Sequence, residues 1–248
     1  MFYQLCGMLV GSAVLVSGSE AFAQDASSAP PALAFPGSFG VPSAVSPAPN
    51  TGFVGVSFST PRGGIEGNGL DIESSVGYSF GNPLDAVGVT LSVNITGSDP
   101  FGDAGSFSLS ASRLLRAEGS SATFLGATVA NLLDWGVAVD PIYSGYLSHL
   151  TSIELVGVEV PLQLVAGYGS DITRSTDGSG DIDDGIFAGV GLGVSENLSA
   201  GISVTTTQVN AGFSYSLPDI PVGATISILD ILDTTERRTF VASLGYSF

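Results

Sequence analysis

Apolar and polar residues alternate along most of this chain. At its end, Phe240, Ala242, Leu244, Tyr246 and Phe248 share one parity, and Val241, Ser243, Gly245 and Ser247 share the other. The same pattern sets Val87, Val89, Leu91, Val93 and Ile95 against Gly88, Thr90, Ser92, Asn94 and Thr96. It also sets Ile186, Ala188, Val190, Leu192 and Val194 against Phe187, Gly189, Gly191 and Gly193. Successive side chains of an extended strand leave on opposite sides, so period 2 marks a sheet with two different faces. Such segments fall near 52–59, 70–80, 86–96, 105–115, 121–131, 140–150, 159–169, 185–194, 198–206, 208–216, 222–230 and 238–248. They predict an all-β, antiparallel fold of about 12 strands, within a range of roughly 10 to 14. Residues 52–248 number 197, about 16 per strand with its connector, which suits strands of roughly ten residues and short connections. The stretch 121–150 is the least regular, and Leu132-Leu133-Asp134-Trp135 reads as a loop or a bulge.

A soluble sandwich and a membrane barrel both alternate, and the polar face separates them. A sandwich fills its second face with Lys, Glu, Arg and Thr for water. Here that face holds mostly Ser, Gly, Thr and Asn, with few charges such as Glu73 and Glu159. Small residues suit a crowded lumen, and the apolar face then meets lipid, where only a closed sheet leaves no unpaired backbone. Connector lengths also alternate. One end carries the short 81–85, 118–120, 195–197 and 217–221 connectors, and the other carries 60–69, 97–104, 170–184 and 231–237. The 151–158 connector and the tight turn at Thr207 are expected exceptions. Aromatics gather at strand ends: Tyr78, Phe80, Phe213, Tyr215, Tyr246 and Phe248 at one rim, and Phe58, Phe107, Tyr168 and Phe240 at the other. Two aromatic girdles are what amphipathic rings form at bilayer interfaces.

Ahead of this region lie two segments of different character. Met8–Val16 is a short apolar run followed by Ser17–Glu20 and Ala21-Phe22-Ala23. That order predicts a signal peptide over 1–23, cut after Ala23, although its first residues carry no Lys or Arg. The run is too short to span a bilayer as a helix. Residues 24–51 hold Pro30, Pro31, Pro36, Pro42, Pro47 and Pro49, a density that opposes both helix and ladder. They are expected as a periplasmic lead, a linker or a short tuck-in segment, with the folded domain over 52–248.

Charge narrows the partners. The chain has 6 Lys plus Arg against 23 Asp plus Glu, a formal net charge of −17, and all six cations are Arg. A nucleic-acid binder needs a basic footprint, which is missing here. One Cys excludes a disulfide framework. An acidic disordered chain would be poor in apolar residues, and this one is 44% hydrophobic.

The final strand, Leu244-Gly245-Tyr246-Ser247-Phe248, resembles the C-terminal signal strand of bacterial outer-membrane β-barrel proteins of the porin-like class. The resemblance implies an outer-membrane location, contact with outer-membrane lipid, and insertion by the barrel-assembly machinery, with Leu244, Tyr246 and Phe248 as the assembly signal.

Catalytic motifs find little support in this pattern. Gly77-Tyr78-Ser79-Phe80-Gly81 spells a serine-hydrolase elbow, but that motif needs a strand-to-helix turn and sits here in a continuing strand. His149, the one His, faces away from Ser148 and toward the side of Thr151, near the expected periplasmic rim. Gly189-Val190-Gly191-Leu192-Gly193 has the wrong spacing for a phosphate loop, and alternating Gly in a strand marks close packing. Asp177, Asp181, Asp183 and Asp184 gather in one outer loop, where four carboxylates suit a loosely bound Ca²⁺ or Mg²⁺ or simply water. Ile182 stands where an EF-hand loop needs Gly. No other cofactor is expected.

The leading functional expectation is a narrow passive channel for small cationic or neutral solutes. Its wall would include Glu73, Ser75, Thr90, Ser92, Asn94, Gln163 and Asn210, with a negative potential that draws cations. The alternatives are a barrel plugged by loops or by the Pro-rich segment, serving structure or surface interaction, and an outer-membrane lipid hydrolase using His149.

Overall fold

The computed structural model describes residues 37–44, 47–60, 70–96, 102–136, 140–174, 176 and 182–248. The expected signal peptide therefore lies outside the described residues. Twelve strands follow one another: β1 (Gly52–Ser59), β2 (Asp71–Phe80), β3 (Gly88–Ile95), β4 (Gly105–Glu118), β5 (Ser121–Trp135), β6 (Ile142–Leu155), β7 (Val158–Arg174), β8 (Ile182–Gly193), β9 (Leu198–Thr205), β10 (Val209–Ser216), β11 (Val222–Leu229) and β12 (Thr239–Ser247). Each pairs antiparallel with its neighbours, and β1 pairs with β12 to close the barrel. Closure leaves no open edge, which is the condition for a sheet to sit in hydrocarbon.

The parity read from the sequence is the parity of the wall. Outward positions carry Val54, Leu91, Leu109, Leu147, Ile186, Ile202 and Ile226, and Ile186 is 67% exposed and Ile226 64%. So much exposed aliphatic surface is costly in water and suits a lipid solvent. The aromatics named above also stand outward at the two strand ends, and Tyr143 joins the rim of Phe58, Phe107, Tyr168 and Phe240. Inward positions carry Ser57, Ser79, Ser106, Ser148, Gln163, Ser203, Asn210, Ser227 and Ser243, all buried.

Three local features depart from simple alternation. The expected long connector at 151–158 is absent, because β6 and β7 run on to a two-residue turn. Val156 and Gly157 both take positive φ, 52° and 78°, the backbone a tight hairpin of this twist requires. The irregular stretch in β5 is a pair of bulges: Asn131 and Leu133 have φ of 56° and 47°, and the register against β4 shifts there twice. A third shift falls between Leu114 and Arg116, leaving Leu115 without a partner.

Strand length is uneven around the ring. Strands β4 to β7 have 14 to 17 residues, whereas β1, β3, β9, β10 and β11 have 8 each. The long strands extend past β3 at the end of short turns, since Gly88 pairs with Ser112 and β4 continues to Glu118.

Candidate functional site

The lumen is not empty. Residues 37–44, part of the Pro-rich stretch, lie inside the barrel as a strap. Phe39, Val41 and Ala44 are buried, as are Ser38 and Ser43. At one end the backbone N–H of Ala44 donates to Ser148 Oγ at 2.8 Å. The Gln163 amide donates to Ser43 Oγ, and Ser43 and Ser148 share a longer contact of 3.4 Å. At the other end Ser203 Oγ donates to the carbonyl of Phe39. The strap thus reaches from the β6–β7 wall to the β9–β10 wall.

Wall glycines make room for it. A Cβ on Gly201 would lie 2.6 Å from the carbonyl oxygen of Gly37, and one on Gly212 would lie 2.9 Å from the Phe39 ring. One on Gly189 would lie 2.9 Å from Ser38 Cβ. Gly189 of β8, Gly201 of β9 and Gly212 of β10 are therefore the bed of the strap. Gly40 within the strap takes φ of +71° beside Asn210, a conformation that glycine adopts without strain.

Under the strap lies an apolar cluster. Val41 and Ala44 pack with Phe124, Tyr146, Leu150, Val165, Ile172 and Phe187. The Tyr146 and Phe187 rings are 6.2 Å apart and tilted, and the Tyr146 hydroxyl bonds Thr128 Oγ1 at 2.7 Å.

The opposite wall differs. On β2, β3 and β4 the inward side chains are Glu73, Ser75, Ser79, Thr90, Ser92, Asn94, Ser106, Ser108, Ser110 and Ser112, in matched register. Of these, Glu73, Ser75, Thr90, Ser92, Asn94, Ser108 and Ser110 keep partial exposure. Ser79 and Thr90 bond at 2.9 Å, and the Asn94 amide donates to Ser108 Oγ at 2.9 Å. Ser57 Oγ donates to Glu73 at 3.5 Å. Asp71 pairs with Ser59 on the same parity as Glu73. Among the described side chains, no Arg stands at an inward strand position.

Of the seven expected lining residues, Glu73, Ser75, Thr90, Ser92 and Asn94 belong to this accessible wall. Gln163 and Asn210 share its inward parity but are buried against the strap, each 2% exposed. Gln163 holds Ser43 itself, whereas Asn210 acts one step removed. Its amide donates to Ser203 Oγ at 3.3 Å, and its Oδ1 accepts the N–H of Asp230 at 2.9 Å.

Asp230 is a site residue that the periodic reading passes over. It is fully buried at the loop end of β11. Its carboxylate accepts the backbone N–H and hydroxyl of Thr234 and the backbone N–H and hydroxyl of Thr235. Burial opposes its charge, yet these four donors outweigh burial and hold the carboxyl below its ordinary value. The Thr234 hydroxyl also touches the carbonyl of Thr207, sharing its one proton between that oxygen and Asp230. A continuous relay therefore joins the 230–238 loop through Asn210 and Ser203 to the strap. The spacing Asp230, Thr234, Thr235 was the available signal, an acid followed by a hydroxyl pair within reach of one turn.

The other candidates separate. Ser79 is buried in β2 and bonded to Thr90, without a following helix among the described residues. His149 faces outward, its Nδ1 2.9 Å from Thr123 Oγ1, while Ser148 faces inward under the strap. Thr151 bonds Ser121 instead, at 2.8 Å. Asp183 and Asp184, successive residues of β8, project to opposite sides. Tyr168 donates its hydroxyl to Asp184 at 3.0 Å. Asp177 and Asp181 lie outside the described residues, and among the described residues no group of three acidic, His or Cys side chains is placed to hold a metal.

No protein-family model matches the chain, and no curated protein matches it. Solved structures do. The KdgM porin in complex with disordered oligogalacturonate matches with a TM-score of 0.51 at 11% identity, over 79% of this chain and 99% of that one. The outer-membrane protein Omp33 of Acinetobacter baumannii matches with a TM-score of 0.50 at 10% identity, over 80% and 98%. The closed all-β barrel is thus a fold shared with outer-membrane porins.

Proposed function

We propose that this protein is an outer-membrane barrel that passes small neutral or cationic solutes along the hydroxyl-lined wall of β2–β4, beside a strap that fills the rest of its lumen. The observation that carries this reading is the contrast in accessibility between the two inner walls. Ser75, Thr90, Ser92, Asn94, Ser108 and Ser110 keep partial exposure, whereas Phe124, Tyr146, Ser148, Gln163, Val165 and Phe187 are sealed. Hydroxyls and amides replace part of a solute's hydration without demanding a particular charge. Glu73 and Asp71 add negative potential on the same parity, which concentrates cations. The KdgM structure holds oligogalacturonate, a chain of carboxylate-bearing sugars. The inward charges described on the β2–β4 wall, Asp71 and Glu73, are carboxylates, which do not favour such a solute, so a different one is proposed here.

Orientation follows from the connectors. The two-residue turns at 119–120 and 156–157 belong to the periplasmic side and the longer 230–238 loop to the cell surface. Export by the 1–23 leader, and insertion through Leu244, Tyr246 and Phe248, belong to the same proposal.

A second reading is a barrel without transport, which the anchoring of the strap at both ends favours. Single-channel recording in a planar bilayer under a KCl gradient separates the two. Conductance steps with a cation-selective reversal potential support the channel. Silence in the full chain, with steps appearing once residues 37–44 are deleted, supports the plug. Silence in both folded proteins overturns the channel.

A further inference from the structure

From the outward face of β4–β6 we infer a binding site for the phosphate of a phospholipid headgroup, formed by Arg113, Arg116, Thr123 and His149. The inference rests on the reading of the apolar wall as lipid-facing. Two of the six Arg of a chain with net charge −17 stand together here, outside the lumen. Alternation alone would put residues 113 and 116 on opposite faces, because they are three apart. The bulge at Leu115 brings them to the same one. Arg113 pairs with Leu125, and Arg116 pairs with Thr123. Thr123 pairs with His149 across the next ladder. Bulges commonly serve to re-aim a side chain in this way.

The position along the wall fits a headgroup. On its membrane side the patch meets Leu125 and Leu147, which pair with each other and are 49% and 48% exposed. Phe80, Val89 and Ala111 form one row across β2, β3 and β4, and Arg113 lies two residues beyond it toward the short turns. That row climbs with strand tilt and runs on through Ala127 and Gly145 to Tyr168 of the other rim. Arg113, two residues back toward the short turns, therefore stands at about the level of Tyr78 and Phe80, where acyl chains give way to phosphates.

The donors suit a tetrahedral anion. Among the described residues Arg113 makes no hydrogen bond or ion pair, so its guanidinium is available. Arg116 pairs with Glu118, which orients it and leaves the patch one net positive charge. Thr123 and His149 form a bonded pair between the strands. Arg113 and Arg116 lie on one strand in neighbouring same-face rows, about 7 Å apart, a span that two long guanidinium side chains close on one phosphate. Guanidinium groups bind phosphate oxygens in a fork that Lys cannot offer.

Native mass spectrometry of the detergent-solubilised full chain tests this, with phosphatidylglycerol and a diacylglycerol of the same acyl chains as probes. The wild-type protein is expected to retain phosphatidylglycerol several-fold over diacylglycerol. The Arg113→Gln, Arg116→Gln double variant should lose that preference, and Arg238→Gln, a loop cation elsewhere, should keep it. Heat-modifiable gel mobility reports folding. If the double variant does not fold, Arg113→Gln decides alone, since that side chain bonds to nothing in the fold. Preference retained without the arginines overturns the site. Displacement of the lipid by inorganic phosphate overturns the lipid assignment and leaves a site for free phosphate. A chain that stays monodisperse without detergent overturns the underlying lipid-facing reading, which the other outcomes leave standing.

Discussion

The walls of β2–β4 and β6–β8 obey the same alternation and end opposite in character. Both turn aliphatic side chains outward. Inward, β2–β4 present mostly Ser, Thr and Asn and keep water within reach. The β6–β8 wall presents Tyr146, Leu150, Val165 and Phe187 on strands of 12 to 17 residues, and the strap covers them. Period 2 thus fixes which side chains share a face. The residues chosen for that face decide whether the space behind it is filled or open.

Several measurements sharpen or break this contrast. The largest effect is expected from deleting residues 37–44. Loss of the strap should uncover the β6–β8 wall and raise single-channel conductance well above that of the full chain. Unchanged conductance in a folded deletion would mean that the strap restricts nothing. Phe187→Ala comes next, with a cost of about 3 kcal/mol from the cavity it leaves against Tyr146, read as a lowered urea midpoint in lipid vesicles.

The Asp230→Asn change should cost about 1 to 3 kcal/mol, because an amide cannot accept from all four threonine donors. The same network has a pH signature. The carboxyl is held below its ordinary value when folded, so its contribution is full above about pH 4. It is lost as pH falls through the lowered folded value. Amide exchange in the 230–238 loop should speed up in acid in wild type and be fast already at neutral pH in the variant. Glu73→Gln is expected to move the reversal potential toward zero. Smallest of all is Ser92→Ala on the open wall, within about 0.5 kcal/mol. A large loss there would show that the β2–β4 wall is packed after all.

The strand pattern was legible because parity survives whatever a strand packs against. It placed Glu73, Ser75, Thr90, Ser92 and Asn94 on the inner side, and Leu244, Tyr246 and Phe248 on the outer. It under-read β4 to β7, where the unpaired Leu115 and the left-handed Asn131 and Leu133 interrupt the count and strands continue past the break. Gln163 and Asn210 had the right side but the wrong neighbour, since parity says nothing of what lies across the lumen. The strap itself left no periodic signal. Its hold comes from single hydrogen bonds to Ser148, Gln163 and Ser203 and from glycines opposite, none of which alternation can encode. Asp230 was hidden for the same reason, being defined by a turn and not by a face.

The β1–β12 seam has a consequence for assembly order. A ring that is already closed can be entered only from its ends. The strap is tethered to the start of β1 by a few residues, and its contacts lie deep on β6 to β10. The simplest route lays residues 37–44 against the half-formed sheet while the seam is still apart, and zips β1 onto β12 last. A strap bound late would have to thread lengthwise through a lumen already narrowed by Phe124 and Phe187. The barrel's final step would then be one of topology, with the timing of closure deciding whether the segment ends up inside or out.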